Sequence, residues 1–344
     1  MRIGLLGYGF GGRYFHAPLL ASLASLANST FVGVVTRSPE RRRELAAEHP
    51  GVPAFDNLRQ LAETGADVVV ISTALEGRQA LLLEAFELGL GVVSDKPFAF
   101  DAAQGQALID AAAKAGVLLS VYQNRRWDSD FLTVRKLIDD GALGPVRRFE
   151  SSIERYLPDN TGNPAGGGWL RDLGAHLVDQ ALQLFGPVSR VYAELEPVPG
   201  SALDRGFFIA LTHAGGVVSH LRASAVQSAP QPRFRVTGEA ACYTVDGFDG
   251  QEARVLAGFS PATDGDDWGA EEHRNWGWLV RGEERERVPS ERGCWPHYYQ
   301  QIAQAVAGTA ALPVDPADAV KALRVLDAAR ASAELGEVVR LQHE

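Results

Sequence analysis

The first twelve residues contain the feature that most constrains the fold. Residues 2–6 are a short, mostly apolar segment, and Gly7-Tyr8-Gly9-Phe10-Gly11-Gly12 follows directly. This G-x-G-x-x-G run is typical of the turn from the first strand into the first helix of a dinucleotide-binding unit. There Gly7 permits the tight turn, Gly9 lets a pyrophosphate approach the backbone, and Gly12 lets the helix pack against the strand. We therefore expect cofactor contacts at Gly7, Gly9, Phe10 and Gly12; a glycine turn that only joins strand to helix is the alternative.

Strand-like and helix-like segments then alternate as far as residue 122. We expect strands at 31–35, 67–71, 91–94 and 117–122, and helices starting after Ser38 and covering 81–88 and 102–114. This alternation predicts an α/β fold with a doubly wound parallel sheet. Ligands of such sheets bind beyond the carboxyl ends of the strands. The polar residues expected at those ends are Thr36, Ser72, Thr73, Asp95, Lys96 and Gln123.

The pattern changes after residue 122. Alternating segments at 146–156, 188–195, 206–212, 217–222, 234–237 and 242–245 predict a large, mostly antiparallel open sheet with one solvated face. Helices are expected at 129–140, at 175–185 and over 296–335, where Pro313 and Pro316 divide the last one. The glycine-rich residues 158–168 predict a long loop, and loops of that length are often functional.

The end of the second predicted strand bears on cofactor choice. NAD enzymes usually carry an acidic residue there, which binds the ribose 2′-hydroxyl. This chain has Thr36-Arg37-Ser38 and no acid before Glu40. Arg37 and the two hydroxyls can hydrogen-bond a 2′-phosphate, which favours NADP(H) over NAD(H). The alternative is that Arg37 stacks over adenine and either cofactor binds.

Two short segments carry candidate chemistry. Lys96 follows a buried strand, where it could stabilise a developing alkoxide, although a solvent-facing lysine is the plainer interpretation. Asp172 and His176 are spaced to share one helix face, so the carboxylate could orient an imidazole that takes a hydroxyl proton. Asp179 could serve the same purpose. The structural alternative is a helix cap at Asp172 and a core histidine at 176.

Composition excludes several classes of protein. The 344-residue chain has a net charge of -10 and no basic tract, which argues against nucleic-acid or membrane partners; Arg41-Arg42-Arg43 is expected to be a solvated helix face. Cys242 and Cys294 are too few for a disulfide framework or a cysteine-based metal site, and no third ligand accompanies Asp172 and His176, so no metal is expected. With no signal peptide or apolar span, we expect a cytoplasmic enzyme.

Taken together, these residues resemble the glucose–fructose oxidoreductase / inositol dehydrogenase / MocA (Gfo/Idh/MocA) family. The resemblance lies in the glycine run, Asp95-Lys96-Pro97 and the D-x-x-x-H of Asp172 and His176. Residues 121–132 (VYQNRRWDSDFL) and 172–180 (DLGAHLVDQ) resemble NADP-dependent scyllo-inositol dehydrogenases. The resemblance implies a Rossmann domain at 1–122, a substrate-binding and oligomerisation α/β domain at 123–310, and a helical segment at 311–344 that returns to the first domain. It also implies a homodimer or homotetramer.

The resemblance further implies hydride transfer between nicotinamide C4 and a secondary alcohol or ketone of a polyol or sugar. Lys96, Asp172 and His176 would be catalytic, with His176 moving the proton. A dehydrogenase for glycosides or other sugar derivatives, and a non-catalytic sensor of a dinucleotide or sugar, are the alternatives. The chain departs from the family pattern at Asp95, usually glutamate, and at Ala74 and Arg78, where T-P-x-x-x-H has proline and histidine. Candidate substrate contacts are Arg125, Trp127, Tyr156, Trp169, Asp172 and His176.

Overall fold

The computed structural model describes residues 1–159 and 167–342, which form two sheets with helices packed against them. The first sheet is wholly parallel, with its strands in the order 3-2-1-4-5-6. The predicted doubly wound sheet is therefore confirmed, and its strand order reverses between the first and fourth strands, where such sheets bind ligands. Its strands are β1 (Arg2–Leu6), β2 (Thr30–Val35), β3 (Ala54–Phe55), β4 (Val68–Ile71), β5 (Gly91–Ser94) and β6 (Leu119–Val121).

Local sequence explains where the helices of this half begin. The Ser38 hydroxyl accepts a hydrogen bond from the Arg41 amide, and Pro39 occupies the first turn, so the predicted cap is confirmed. The Asp101 carboxylate caps a later helix by accepting from the Gln104 amide. A π-helical turn, Gly11–His16, precedes the first helix. The helices are α1 (Ala17–Ala27), α2 (Pro39–Glu48), α3 (Leu58–Ala62), α4 (Arg78–Glu87) and α5 (Ala102–Ala115).

The second sheet has the strand order 14-13-12-11-7-10-9-8-15. Among the strand pairs of the described residues in this sheet, only that of strands 7 and 10 is parallel, which confirms the mostly antiparallel prediction. Buried and partly exposed residues alternate along several of its strands, as expected of a sheet with one packed face. Its strands are β7 (Val146–Glu154), β8 (Val188–Pro197), β9 (Asp204–His213), β10 (Val218–Ser224), β11 (Phe234–Gly238), β12 (Cys242–Val245), β13 (Gly277–Arg281), β14 (Glu284–Val288) and β15 (Val339–Arg340).

The last helix packs against both halves. A Cβ on Gly105 of α5 would lie 3.1 Å from side-chain atoms of Val320 and Leu323, and the Ser332 hydroxyl accepts a hydrogen bond from the Ala193 amide of β8. The division into units 1–122, 123–310 and 311–344 stays a prediction. The remaining helices are α6 (Ser129–Asp139), α7 (Trp169–Asp172), α8 (Gly174–Phe185), α9 (Gln251–Leu256), α10 (Pro261–Asp264), α11 (Pro296–Val306) and α12 (Pro316–Leu335).

Some predicted boundaries differ from the structure. The strand expected to reach residue 156 ends at Glu154, and Tyr156 forms only a single bridge with Val226. The expected break near Pro313 and Pro316 is confirmed, but β3, β13, β14 and β15 were missed. Residues 160–166 of the loop predicted at 158–168 lie outside the described residues. Among the helices that the structure describes, none is long and apolar enough to cross a membrane.

Candidate active site

A cavity of about 820 Å³ lies between the two sheets. The loops after β1, β4 and β5 form one wall, and α7, α8, α9 and the end of β7 form the other. The sequence-predicted residues that line it are Gly7, Gly9, Phe10, Ser72, Thr73, Asp95, Lys96, Arg125, Trp169, Asp172 and His176. Those placed elsewhere are Gly12, Thr36, Arg37, Ser38, Gln123, Trp127 and Tyr156.

In the glycine loop, a side chain at Gly7 or Gly12 would collide with backbone atoms, whereas a side chain at Gly9 would not. Gly7 has a φ of +99°, and a Cβ there would lie 2.2 Å from the Ser72 carbonyl oxygen. A Cβ on Gly12 would lie 1.9 Å from the Gly7 carbonyl oxygen, so this glycine is required for close packing inside the loop. At Gly9 the nearest atom to such a Cβ is in the Arg41 guanidinium, at 3.6 Å. The loop therefore leaves its backbone accessible at Gly9, as a bound pyrophosphate requires.

The three residues predicted to bind the 2′-phosphate, Thr36, Arg37 and Ser38, lie in different environments. Thr36 is buried, and its carbonyl accepts from Arg42 Nε at 2.9 Å. Ser38 caps α2, and Arg37 is exposed outside the cavity lining. Arg41, expected only on a solvated face, is exposed but also lines the cavity. The Ser38 cap could have predicted this position for Arg41. It places Arg41 in the first turn of a helix whose N-terminus faces the ligand edge of the sheet.

Asp95 is held by groups from three different elements. Its Oδ2 accepts from Ser72 Oγ at 2.7 Å and lies 3.3 Å from Nε2 of the buried His16, whose Nδ1 is 2.5 Å from the Tyr299 hydroxyl. Burial alone would raise the pKa of Asp95, but His16 and the cations of Arg78 and Lys96 hold that pKa well below its usual value. Asp95 is therefore a carboxylate.

Arg78, one of the departures from the family pattern, joins two loops of the cavity wall. Its buried guanidinium donates to the carbonyls of Asp95 at 2.6 Å and Pro97 at 2.5 Å, and also to that of Thr73. The same side chain thus ties the loop after β4 to the loop that carries Lys96. Burial lowers the pKa of Arg78, while Asp95 and Asp172 oppose that shift.

Lys96 and Asp172 meet across the cavity. Lys96 Nζ donates to Asp172 Oδ1 and lies 3.3 Å from the Asp172 carbonyl oxygen. The helix predicted to contain Asp172 and His176 is interrupted, because α7 ends at Asp172 and α8 begins at Gly174. The His176 amide donates to the Leu173 carbonyl at 3.1 Å, and Asp172 and His176 both line the cavity despite the interruption.

His176 is buried at the cavity wall. Burial lowers its pKa well below 6.5, and the nearby cations Lys96, Arg125 and Arg233 lower it further. Among the described residues its Nδ1 has no hydrogen-bond partner. Asp179 does not orient this imidazole, contrary to the sequence prediction, because Arg126 binds both of its oxygens, at 2.8 and 2.5 Å. His176 is therefore a neutral imidazole that can accept a proton.

The candidates for substrate contact divide into two groups. Arg125 and Trp169 line the cavity with Asp172 and His176. Trp127 does not; its ring packs edge-on against Tyr298 at 5.6 Å. Tyr156 is 61% exposed and lies outside the lining. The reason is that its neighbours Arg155 and Leu157 line the cavity, so the alternation of an extended chain turns Tyr156 to the opposite face.

Several lining residues had no sequence signal strong enough to find them. They come from elements whose closeness depends on the packing of the two sheets rather than on spacing along the chain. They are Phe15, Tyr122, Asn124, Ile153, Arg155, Leu157 and Glu252.

Family models match both halves of the chain. Residues 1–123 match the oxidoreductase family with an NAD-binding Rossmann fold, and residues 131–244 match the GFO/IDH/MocA C-terminal domain.

Individual relatives extend the similarity over the full length. The chain is 32% identical to the scyllo-inositol 2-dehydrogenase (NADP(+)) of Bacillus subtilis (strain 168), over 100% of this chain and 96% of the relative. It is 30% identical to a D-apiose dehydrogenase of Paraburkholderia graminis over 62% of this chain and 58% of that one. A solved structure of a presumed oxidoreductase from Yersinia pestis superposes with a TM-score of 0.92 at 33% identity, covering 100% of this chain and 98% of that one.

Proposed function

Because the chain belongs to the Gfo/Idh/MocA family of NAD(P)-binding oxidoreductases, we propose that it interconverts a secondary alcohol and a ketone of a polyol or sugar. An inositol is the favoured substrate, and NADP(H) the favoured cofactor, with NAD(H) tolerated. The observation that carries the proposal is the Lys96–Asp172 ion pair beside a neutral, buried His176 in one cavity with the glycine loop.

Lys96 is suited to holding the substrate oxygen. An ammonium has three N–H donors, and among the described residues two of them reach Asp172. The third can donate to the carbinol oxygen and stabilise negative charge that develops there during oxidation. Asp172 fixes Nζ in place and balances its charge. These contacts support a catalytic role for Lys96 and a positioning role for Asp172.

His176 is suited to moving the hydroxyl proton. Its lowered pKa keeps the imidazole unprotonated, so in oxidation it accepts the proton that leaves the alcohol. In reduction the resulting imidazolium returns that proton to the alkoxide oxygen. Lys96 and Arg125 contribute to the low pKa, which makes the imidazolium a strong acid in that direction.

The residues of the glycine loop fit a dinucleotide, because a Cβ at Gly7 or Gly12 would collide with backbone, while at Gly9 it would meet only the Arg41 guanidinium at 3.6 Å. Gly7, Gly9 and Phe10 would hold the phosphates and adjoining riboses, and Ser72, Thr73 and Asp95 the nicotinamide end. Arg37, with Thr36 and Ser38, is proposed for the 2′-phosphate. When bound, the nicotinamide supplies the hydride donor or acceptor.

The test is turnover, followed by the absorbance of reduced nicotinamide, across inositols, inososes, aldoses and glycosides with NADP(H) and NAD(H). We expect one polyol or its ketone to react, faster with NADP(H). Lys96→Met and His176→Asn should bind NADPH, measured by calorimetry, but turn over poorly. Tight cofactor binding by the unmodified protein without turnover of any substrate would contradict the proposal and favour a sensor.

A sugar substrate is the second candidate, and the D-apiose dehydrogenase of Paraburkholderia graminis is the relative that favours it. Faster turnover of an aldose than of any inositol in the same panel would favour the sugar substrate.

We also propose a homodimer or homotetramer in the cytoplasm, with the nine-stranded sheet as the interface. Light scattering that finds a monomer would contradict this assembly.

A further inference from the structure

A polar cluster lies on the cavity wall formed by the second half of the chain. It consists of Arg125, Arg155 and Glu252, and all three line the cavity that contains Lys96 and His176. Arg125 Nη2 donates to Glu252 Oε2 at 2.8 Å, and Arg155 Nη2 donates to Glu252 Oε1 at 3.3 Å. Two arginines thus hold one carboxylate from opposite sides.

The cluster is built into the fold rather than formed by free surface side chains. Arg125 is largely buried, and its Nη1 donates at 3.1 Å to Asp128, whose side chain is fully buried. The side chain of Glu252 is 22% exposed and that of Arg155 is 45% exposed. Burial raises the pKa of Glu252, but Arg125 and Arg155 lower it by more, so Glu252 is ionised.

The hydrogen-bonding capacity of Glu252 is only partly used. An ionised carboxylate has about four acceptor sites on its two oxygens, and each oxygen receives one arginine donor among the described residues. The remaining acceptor sites can take donors from a ligand in the cavity, and the hydroxyl groups of a polyol supply them. An anionic substrate group supplies none and would meet the Glu252 charge.

The charge balance of this wall depends on Glu252. Arg125 and Arg155 carry two positive charges, which Asp128 and Glu252 offset. Without the Glu252 charge the wall would have an excess cation facing the cavity, which attracts a carboxylate or phosphate.

We propose that Glu252 is a substrate-binding and specificity-determining residue, which accepts hydroxyl hydrogens of an uncharged polyol and excludes anionic sugars. This inference rests on the proposed function, because it concerns the substrate of that site. Arg125 and Arg155 act as positioning residues that hold the carboxylate.

The test compares Glu252→Gln with Glu252→Asp and with a matched control, Glu272→Gln. Glu272 also pairs with an arginine, Arg274 at 3.0 Å, but is 68% exposed and lies outside the cavity lining. Kinetics are measured on the NADP-loaded protein with an inositol, with deoxy analogues that each lack one hydroxyl, and with a hexuronate. Calorimetry gives substrate and NADPH binding independently of turnover, and thermal melting reports folding.

For Glu252→Gln we expect the KM for the inositol to rise about 10-fold or more, because a charged acceptor is lost, while kcat and NADPH affinity change little. The kcat/KM for the hexuronate should rise. Glu252→Asp should bind the inositol more weakly, because its side chain is one methylene shorter. It should still reject the hexuronate, because it keeps the negative charge. Glu272→Gln should match the unmodified protein.

The deoxy analogues add a test specific to contact. Removing the hydroxyl that binds Glu252 should weaken binding to the unmodified protein more than binding to Glu252→Gln, because the glutamine carbonyl is a weaker, neutral acceptor. Equal losses in both proteins for every analogue, or an equal fall in kcat with all substrates, would overturn the proposal. If the unmodified protein neither binds nor turns over any member of the panel while binding NADPH, the proposed function itself fails. If the protein turns over a substrate but substitutions at Glu252 do not change that turnover, only the inference about Glu252 fails.

Discussion

The two ends of the cavity are built on different principles. At the nucleotide end the glycine loop presents backbone, and the charged side chain beside Gly9, Arg41, is exposed. At the reaction end the groups are side chains in a largely buried setting, and Lys96 and Asp172 meet although 76 residues separate them. Backbone donors cannot be removed by substitution, whereas a catalytic side chain can. Single substitutions should therefore act strongly at the reaction end and weakly at the nucleotide end, except where a new side chain blocks the loop.

The largest effect is expected for His176→Ala. Removing the proton acceptor should lower kcat by about 10²–10⁴-fold while NADPH affinity changes little. A matched control is His213→Ala, since His213 is also buried but lies outside the cavity lining, where it binds the Gly186 carbonyl and the Ser219 hydroxyl. The control should lose thermal stability and keep its kcat per folded molecule. A similar kcat loss in both variants would show that burial, rather than proton transfer, explains the effect.

Gly12→Ala is the exception expected at the nucleotide end. Its Cβ would lie 1.9 Å from the Gly7 carbonyl oxygen, so the loop must move and NADPH affinity should fall by more than about 10-fold. Gly215→Ala introduces the same methyl group where nothing lies within 4 Å and should leave the affinity unchanged. Calorimetric titration with NADPH measures both. Unchanged affinity in Gly12→Ala would mean that the loop does not hold the cofactor.

Smaller and more selective effects are expected from two arginines. Arg37→Ala should weaken NADPH binding by about 10-fold and leave NADH binding almost unchanged, because only NADPH carries a 2′-phosphate. Arg41→Ala should weaken both cofactors equally and only a few-fold, because Arg41 lies beside Gly9, where a shared pyrophosphate would pass. Fluorescence titration with the two reduced cofactors measures this. Equal losses in Arg37→Ala would contradict its assignment to the 2′-phosphate.

The smallest effect is expected from pH. The pKa of His176 lies well below 6.5, so its imidazole stays unprotonated as the pH falls through 6.5 and the rate of alcohol oxidation should not drop there. The rate should fall only in more acidic solution, where the folded protein takes up that proton. The kcat/KM for oxidation, measured as a function of pH, tests this. A decline centred at 6.5 would place an unperturbed histidine in the mechanism.

Local patterns predicted much of the fold. The apolar run of β4 is buried throughout, the Ser38 cap begins α2, and alternating residues identified most of the second sheet. Two of the strands that were missed, β14 and β15, lack such signals. β14 (Glu284–Val288) is ERERV, a charged and exposed edge strand without an apolar face, and β15 is two residues long.

The candidate site was predictable where its residues belong to short motifs. Lys96, Asp172 and His176 were identified in this way, and the structure brings them to one cavity. His16, which lies beside Asp95, and Arg155 and Glu252, which pair with each other in the cavity wall, were not identified, because no motif relates them to the other site residues. Trp127 was wrongly placed in the pocket since an aromatic side chain near Arg125 has equal chemical reason to pack in the core, as it does against Tyr298.

The sequence by itself determined the alternation of strands and helices that predicts a parallel sheet, the glycine loop and the residue types available for proton transfer, because each can be recognised from residues close along the chain. Only the tertiary structure decided which charges face one another. Arg78 joins the loops of Thr73 and Asp95, and Glu252 meets Arg125 across 127 residues. Such pairs form because the two sheets and α12 pack in one arrangement, and packing brings together residues that no local pattern relates.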